Sequence, residues 1–308
     1  MENFRLRVFR AVARHLNFRM AAEELLLTQP AVTQQIKALE SELATPLFER
    51  SGGRVSLTPA GTALVPYAER LAELTNEARQ AVAAAVGATA GALAIGASQT
   101  IGQYLLPRLV AGFLAAHPRV ELALSGGNTQ TVLDDLRAHR IQVALIEGPA
   151  LAADFRLTPF MEDHLVCVVP PDHEWIDREV TLEDLRRMPL VMREQGSGSR
   201  RVAEQAFERA GLALRELKLG LTFDSTEGLL SGVEAGLGIA FVSRWAVRNQ
   251  LALGTLRVAR VKGLTLSRMF SLATVAGPEP SGTAGAFWRF VLERAEGLAP
   301  RATGRVRS

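Results

Sequence analysis

Gln29, Thr33, Gln34 and Lys37 are spaced so that one helix would carry them together, opposite the apolar positions Val32, Ile36, Leu39 and Leu43. An exposed row of amides and hydroxyls on a rod of helical diameter suits the edges of base pairs. Glutamine can bind adenine through two hydrogen bonds, while cations nearby neutralise phosphates. The cations are at hand: Lys37 on the same face, Arg19 on the preceding helical stretch, and Arg50 and Arg54 in the segment that follows. Thr28 is a suitable N-cap for this helix, and Pro30 sits in the first turn, where a missing N–H is harmless. A solvated polar face would explain any one of these residues. It explains their convergence on one side less well.

A second set of donors lies further along the chain, at the ends of short apolar runs that precede helical patterns. Ser98, Gln99 and Thr100 follow ALAIGAS, and Asn128 and Thr129 follow VELALSGG. Ser197 and Ser199 follow LVMREQG, and Ser225 and Thr226 follow LKLGLTFD. In an open parallel sheet, ligands collect outside the carboxyl ends of the strands, where helix N-termini supply free N–H groups and partial positive charge. Such a ring of donors suits a small oxyanion or carboxylate. Helix capping accounts for each junction alone, but Ser98-Gln99-Thr100 and Gly196-Ser197-Gly198-Ser199 carry more donors than one cap needs.

Residues that could carry catalysis are not arranged to do so. Gly96-Ala97-Ser98 has the start of a nucleophile elbow, but Thr100 stands where the final glycine belongs and no histidine pairs with it. His15, His117, His139, His164 and His173 show no ligand spacing, so neither a metal site nor a cofactor is expected. The glycines from 196 to 238 match neither a Walker loop nor a dinucleotide fingerprint. Cys167, the one cysteine, lies inside an apolar run and reads as a small core hydrophobe. No enzyme is expected.

The elements that must position these groups fall into blocks. Leu6, Phe9, Val12, Ala13 and Leu16 make one helical stripe, and Ala21, Ala22, Leu25 and Leu26 a second, ahead of the Thr28 helix. RSGGRVSLT then reads as two short strands about Gly52-Gly53. Three helices and a hairpin make a winged helix-turn-helix over residues 1–58. Residues 59–90 are a linker helix and hinge, with Leu64, Ala68, Leu71, Thr75, Ala78, Val82 and Ala85 at coiled-coil spacing. Packing of that helix on its own domain is the plainer alternative to dimerisation. From residue 91 to 296 strands alternate with helices, which implies a doubly wound parallel sheet. RMFSLATVAG and the last helix return to the first half. That gives lobe I (91–164 and 268–296) and lobe II (165–267), joined by crossovers near His164 and Ser267. The basic tail, 297–308, is expected to be disordered.

With 308 residues, at roughly 100 to 200 residues per domain, two domains, or one small domain attached to a larger one, are expected. The hydrophobic fraction of 48% and charged fraction of 22% are those of a folded soluble chain. The net charge of +3 does not by itself require a polyanionic partner, although nearly all the cations are arginines, whose fork suits phosphate. A lone cysteine, arginines through the N-terminal segment and the lack of a long apolar run favour a cytoplasmic, membrane-free protein.

The stretch NFRMAAEELLLTQPAVTQQIKALESELATPLFERSGGRVSLTPAG resembles the winged helix-turn-helix of the LysR-type transcriptional regulators, with the QPAV, QI, LE, LF and LT.AG elements in register. The order and length of the later blocks fit that family over residues 3–296. The resemblance implies a periplasmic-binding-protein-like, two-lobed α/β effector domain behind the DNA-binding head. It also implies double-stranded promoter DNA and a small-molecule effector as partners, a homodimer through the linker helix, a homotetramer, and RNA polymerase as a further candidate partner. One departure is Ala44, where the family usually ends the recognition helix with glycine. GASQTIGQYLLP, SGGNTQTV, ALIEGP and REQGSGSR further resemble the family's sulfur-metabolism branch, which would put Ser98, Thr100, Asn128, Thr129, Glu147 and Ser197 near the effector. Glu147 fits an anion poorly: it points away, orients a hydroxyl, or meets the ammonium of an amino-acid-like ligand. The competing class is a two-lobed solute-binding receptor without DNA function. Such a receptor would need an export signal and no DNA-reading head, the reverse of what is expected here.

Overall fold

Side-chain capping starts each helix of the N-terminal region. The computed structural model describes residues 3–51, 54–85, 89–148 and 154–298, and the chain divides into two compact units, residues 1–88 and 89–308. In the first unit Asn3 caps α1 (Phe4–His15), Asn17 caps α2 (Phe18–Leu25) and Thr28 caps α3 (Gln29–Glu42). Antiparallel strands β1 (Phe48–Ser51) and β2 (Arg54–Leu57) form the wing, and α4 runs from Pro59 to Ala85. Phe9, Phe18 and Phe48 stack edge-on or tilted in a core completed by Val12, Val32, Ile36, Leu39 and Leu47. The turn at Gly52-Gly53 lies outside the described residues.

Three leucines expected in that core are exposed. Leu16 and Leu26 end their helices in the left-handed conformation, which swings their side chains off the apolar stripe, and Leu26 is 93% exposed. Leu43 caps the end of α3 and is likewise exposed. The seam on α4 divides too. Leu64 and Ala68 join the core of the head, whereas Leu71 and Val82 are exposed further along, as are Tyr67 and Leu74 off the expected seam.

In the second unit β3 (Gly91–Ser98), α5 (Gln99–Tyr104), α6 (Leu106–Ala116), β4 (Val120–Gly127), α7 (Thr129–Arg137) and β5 (Val143–Glu147) build one lobe. The 15-residue β6 (Phe155–Val169) leads out of it. The other lobe comprises α8 (Leu182–Arg187), β7 (Leu190–Arg193), α9 (Gly198–Arg209), β8 (Leu219–Phe223), α10 (Thr226–Glu234), β9 (Ala240–Ser243), α11 (Arg248–Leu253) and β10 (Arg257–Ala259). Then β11 (Leu266–Val275) and α12 (Gly282–Leu298) return to the first lobe. The sheet is mixed rather than purely parallel. β4, β3 and β5 run parallel, but β6 and β11 pair antiparallel with each other, β11 with β5, and β6 with β9 and β10. The expectation of a doubly wound parallel sheet is therefore corrected: two long strands crossing between lobes must run in opposite directions, and His164 sits opposite Ser267 at the crossing. Each lobe has its own apolar cores, which leaves polar side chains to meet where the lobes face each other.

Candidate functional site

Val32, Ile36 and Leu39 are buried under α3, which turns Gln29, Pro30, Gln34 and Lys37 into solvent, with Thr33 half-buried beside them. Together Gln29, Pro30, Thr33, Gln34 and Lys37 line a shallow open depression. The side chain of Thr28 accepts the Ala31 N–H at 3.4 Å and fixes where the helix starts. Arg19 is exposed on α2, 3.7 Å from Glu23, and Arg54 is exposed on β2. Arg50 belongs to β1, its backbone opposite Val55.

Polar contacts behind that face hold the wing against the helix. The Glu40 carboxylate accepts the Leu47 and Phe48 N–H groups at 2.8 and 3.3 Å, tying α3 to the start of β1. Thr58 donates to the Pro46 carbonyl and accepts from the Gly61 N–H, and a Cβ on Gly61 would stand 2.1 Å from the Leu47 carbonyl oxygen. At the end of α3, Ala44 occupies the left-handed region at φ 53°. Its N–H reaches the Ser41 carbonyl while the Thr45 N–H reaches that of Glu40, the paired bonds of a Schellman turn. Alanine thus forms the turn that glycine forms without a Cβ penalty.

The expected donors between the lobes do come together, but they are largely occupied by the protein itself. Gln99, from the first lobe, donates to the Asp224 carbonyl at 2.8 Å and accepts the Thr226 N–H at 3.0 Å, so it caps α10 of the second lobe. Asn128 caps α7 through its oxygen and donates its amide across the gap to Glu194 at 3.1 Å. Ser197 caps α9, and Thr129 donates to the Glu147 carbonyl at 3.1 Å. Gly198 passes so close that a Cβ there would lie 2.0 Å from that same carbonyl oxygen. Tyr104 donates to Glu227 of the opposite lobe, and burial followed by that carboxylate holds its phenol well above the usual range. Ser98 differs: its Oγ is buried with no partner, and it heads α5 without capping it.

Glu147 neither points away nor waits for an ammonium. It forms an ion pair with Arg268 at 2.5 Å. Arg268 also donates to Asp163 at 2.8 Å, to Ser199 at 2.9 Å and to Thr100 at 3.4 Å, and both Arg268 and Asp163 are almost wholly buried. Asp163 and Arg268 are register partners on β6 and β11, the strands that join the lobes. Burial raises the Asp163 pKa, and Arg268 and Ser243 only partly offset it. Sequence reasoning named Thr100, Glu147 and Ser199 but missed the Arg268 and Asp163 that join them, together with Arg193 and Glu194. A lone arginine in the apolar run RMFSLATV, one residue past the expected crossover, was the available signal.

Among the described residues, no group of three or more His, Cys, Asp or Glu is placed to hold a metal ion, and no helix is long and apolar enough to cross a membrane.

Comparison with known proteins places this architecture. Residues 4–62 match the family described as bacterial regulatory helix-turn-helix protein, lysR family, and residues 87–296 match the LysR substrate binding domain. The RuBisCO operon transcriptional regulator of Allochromatium vinosum is 34% identical over 94% of this chain and 95% of its own. A probable RuBisCO transcriptional regulator of Cyanophora paradoxa is 34% identical over 87% of this chain and 84% of its own. Among solved structures, full-length OxyR from Pseudomonas aeruginosa superimposes with a TM-score of 0.72 at 26% identity, covering 95% of this chain and 93% of that one. CbnR complexed with its target DNA gives 0.64 at 24% identity, over 96% of this chain and 100% of that one. The Synechocystis CcmR regulatory domain in complex with 2-PG gives 0.62 at 22% identity, over 68% and 99%. The Allochromatium vinosum and Cyanophora paradoxa relatives are named for RuBisCO genes, not sulfur metabolism, which corrects the finer branch expectation.

Proposed function

This chain belongs to the LysR family of bacterial helix-turn-helix regulators, and from that premise we propose that it controls RuBisCO or related promoters in response to a small anionic metabolite. The family is one of DNA-binding, ligand-responsive regulators rather than enzymes. The observation that carries the DNA-binding reading is the face of α3. Gln29, Thr33, Gln34 and Lys37 stand away from the buried Val32, Ile36 and Leu39, on a helix whose start and end are both capped. Gln34 and Gln29 supply base contacts, while Lys37, Arg19, Arg50 and Arg54 hold phosphates.

The regulatory reading rests on the gap between lobes bridged by Gln99, Asn128 and Arg268 from different elements. An effector that binds one lobe arrangement better than another shifts the population between them. The relatives named for RuBisCO and the structural neighbour that binds 2-PG favour a phosphorylated or carboxylated anion over a sulfur-containing one. The exposed stripe Tyr67, Leu71, Leu74 and Val82 on α4 supports dimerisation, with a tetramer built from two dimers, in the cytoplasm where its DNA lies.

The test is fluorescence anisotropy on the purified chain, using promoter fragments of neighbouring genes and of RuBisCO operons at low ionic strength, with and without 2-phosphoglycolate. Binding that discriminates among promoters and changes with the metabolite is expected. A chain that ignores every fragment at low salt would refute the DNA reading.

A further inference from the structure

Three guanidinium groups of the second lobe and the joining strands lie at or beside the interlobe contacts, and they differ in what holds them. Arg268 is 1% exposed and meets two carboxylates and two hydroxyls, so its valence is filled by groups that cannot leave without breaking the core. Arg200 pairs with Glu204 one turn along its own helix. Arg193, 5% exposed at the end of β7, is held otherwise. Its Nε and Nη2 grip the two oxygens of Glu194 at 2.8 and 2.9 Å, and its Nη1 donates to Thr226 at 2.8 Å.

Glu194 is the next residue in the chain, on the loop leading to α9, and 22% of its side chain remains open to solvent. Its remaining contact is the Asn128 amide, which comes from the opposite lobe. Three N–H donors, two from one lobe and one from the other, therefore converge on one planar carboxylate. A bidentate arginine fork with an amide opposite it is the arrangement that recognises a carboxylate or phosphate of a small molecule.

We propose that Arg193 and Asn128 form the anion subsite of this protein's effector, and that the Glu194 carboxylate occupies that subsite as an internal competitor. The proposal rests on the small-anion reading given above and adds the residues and the mode of control. An entering carboxylate or phosphate takes the same three donors, and Glu194 turns out through its exposed side. Because Glu194 already draws Asn128 and Arg193 together, the lobes close without effector, and the effector must exchange for a tethered anion rather than fill a vacancy. Sensitivity to metabolite is then set by how well Glu194 competes, since apparent affinity falls with the fraction of sites the internal anion blocks.

The test is calorimetric titration of the full chain with 2-phosphoglycolate and, separately, inorganic phosphate. Glu194→Gln keeps the shape and removes the competing charge, and is expected to lower the Kd for both probes by about tenfold. Glu194→Ser, which removes the carboxylate and its reach, should move affinity in the same direction. The paired variant Arg193→Gln/Glu194→Gln, which leaves no unpaired buried charge, should bind at least about tenfold more weakly than Glu194→Gln alone. A glutamate that merely latches the closed lobes predicts the opposite sign. If both Glu194 variants bind the probes no better than the unaltered chain, or worse, the competitor role is overturned while the effector reading stands. If no version of the chain binds either probe, the small-anion reading falls and the subsite with it.

Discussion

The outer face of α3 and the gap between the lobes are both rows of polar side chains at helix starts, yet the protein treats them in opposite ways. On α3 the amides and the ammonium project into solvent, held only by the helix beneath them. Between the lobes, Gln99, Thr100, Asn128, Thr129, Ser199 and Thr226 are joined to partners within the chain. On the functions proposed above, ligand size accounts for the difference. A duplex cannot be enclosed, so its reading surface must stand ready-made and outside. A small anion can be surrounded, and most of the donors buried there, Ser98 excepted, have partners in the chain, because an unsatisfied buried polar group is costly.

Removing a partner inside the crevice should therefore cost more stability than removing any group on the reading face. Arg268→Met strands Glu147 and Asp163 without their shared cation, and a loss of about 3–5 kcal/mol is expected by chemical denaturation of the full chain. A loss under about 1 kcal/mol would mean that water already serves those carboxylates. On the other side of the contrast, Gln34→Ala should leave folding almost untouched. It should remove about 1–3 kcal/mol of discrimination at one base position, read from competition among operator variants. Unchanged sequence preference would take Gln34 out of base contact.

The buried pair also gives the crevice a pH dependence. Asp163 has a folded pKa raised above its unfolded value by burial, so the folded state holds the proton more tightly. Stability contributed by that protonation is full below the ordinary carboxylate pKa and is lost as pH rises through the raised folded value. Relative to Asp163→Asn, the unaltered chain should lose stability across that window, and parallel curves would contradict the assignment.

Smaller effects sharpen the DNA side. Arg54→Gln should lower affinity for all sequences alike and flatten the slope of log Kd against log salt by about one. An unaltered slope removes Arg54 from the phosphate contacts. Ala44→Gly should stabilise the head by up to about 1 kcal/mol, since glycine takes the left-handed turn without a Cβ clash but gains freedom in the unfolded chain. A melting temperature that does not rise would show that this cost is already relieved.

The head was the more legible half. Thr28, Pro30 and the 3.6-residue stripe fix where α3 begins and which side it buries, so the outward set followed from local spacing alone. Leu16 and Leu26 were misplaced because periodicity does not reveal where the backbone turns left-handed at a helix end. In the second unit the strand-then-donor pattern picked out strand-to-helix junctions, and the two expected crossover residues, His164 and Ser267, are register partners on β6 and β11. It missed the antiparallel course of β6 and the ion pairs of Arg268 and Arg193.

Amino-acid order by itself determined the local facts here: which positions cap helices, which face of each helix is apolar, and where hydroxyls and amides accumulate. These depend on neighbours a few residues away, where spacing and geometry are nearly the same thing. Tertiary structure alone decided that Arg268 meets Glu147 across 121 residues of chain and that Asn128 meets Glu194 from another lobe. Whether a buried charge is balanced or open to a ligand depends on groups brought together from distant segments, and no local pattern records that meeting.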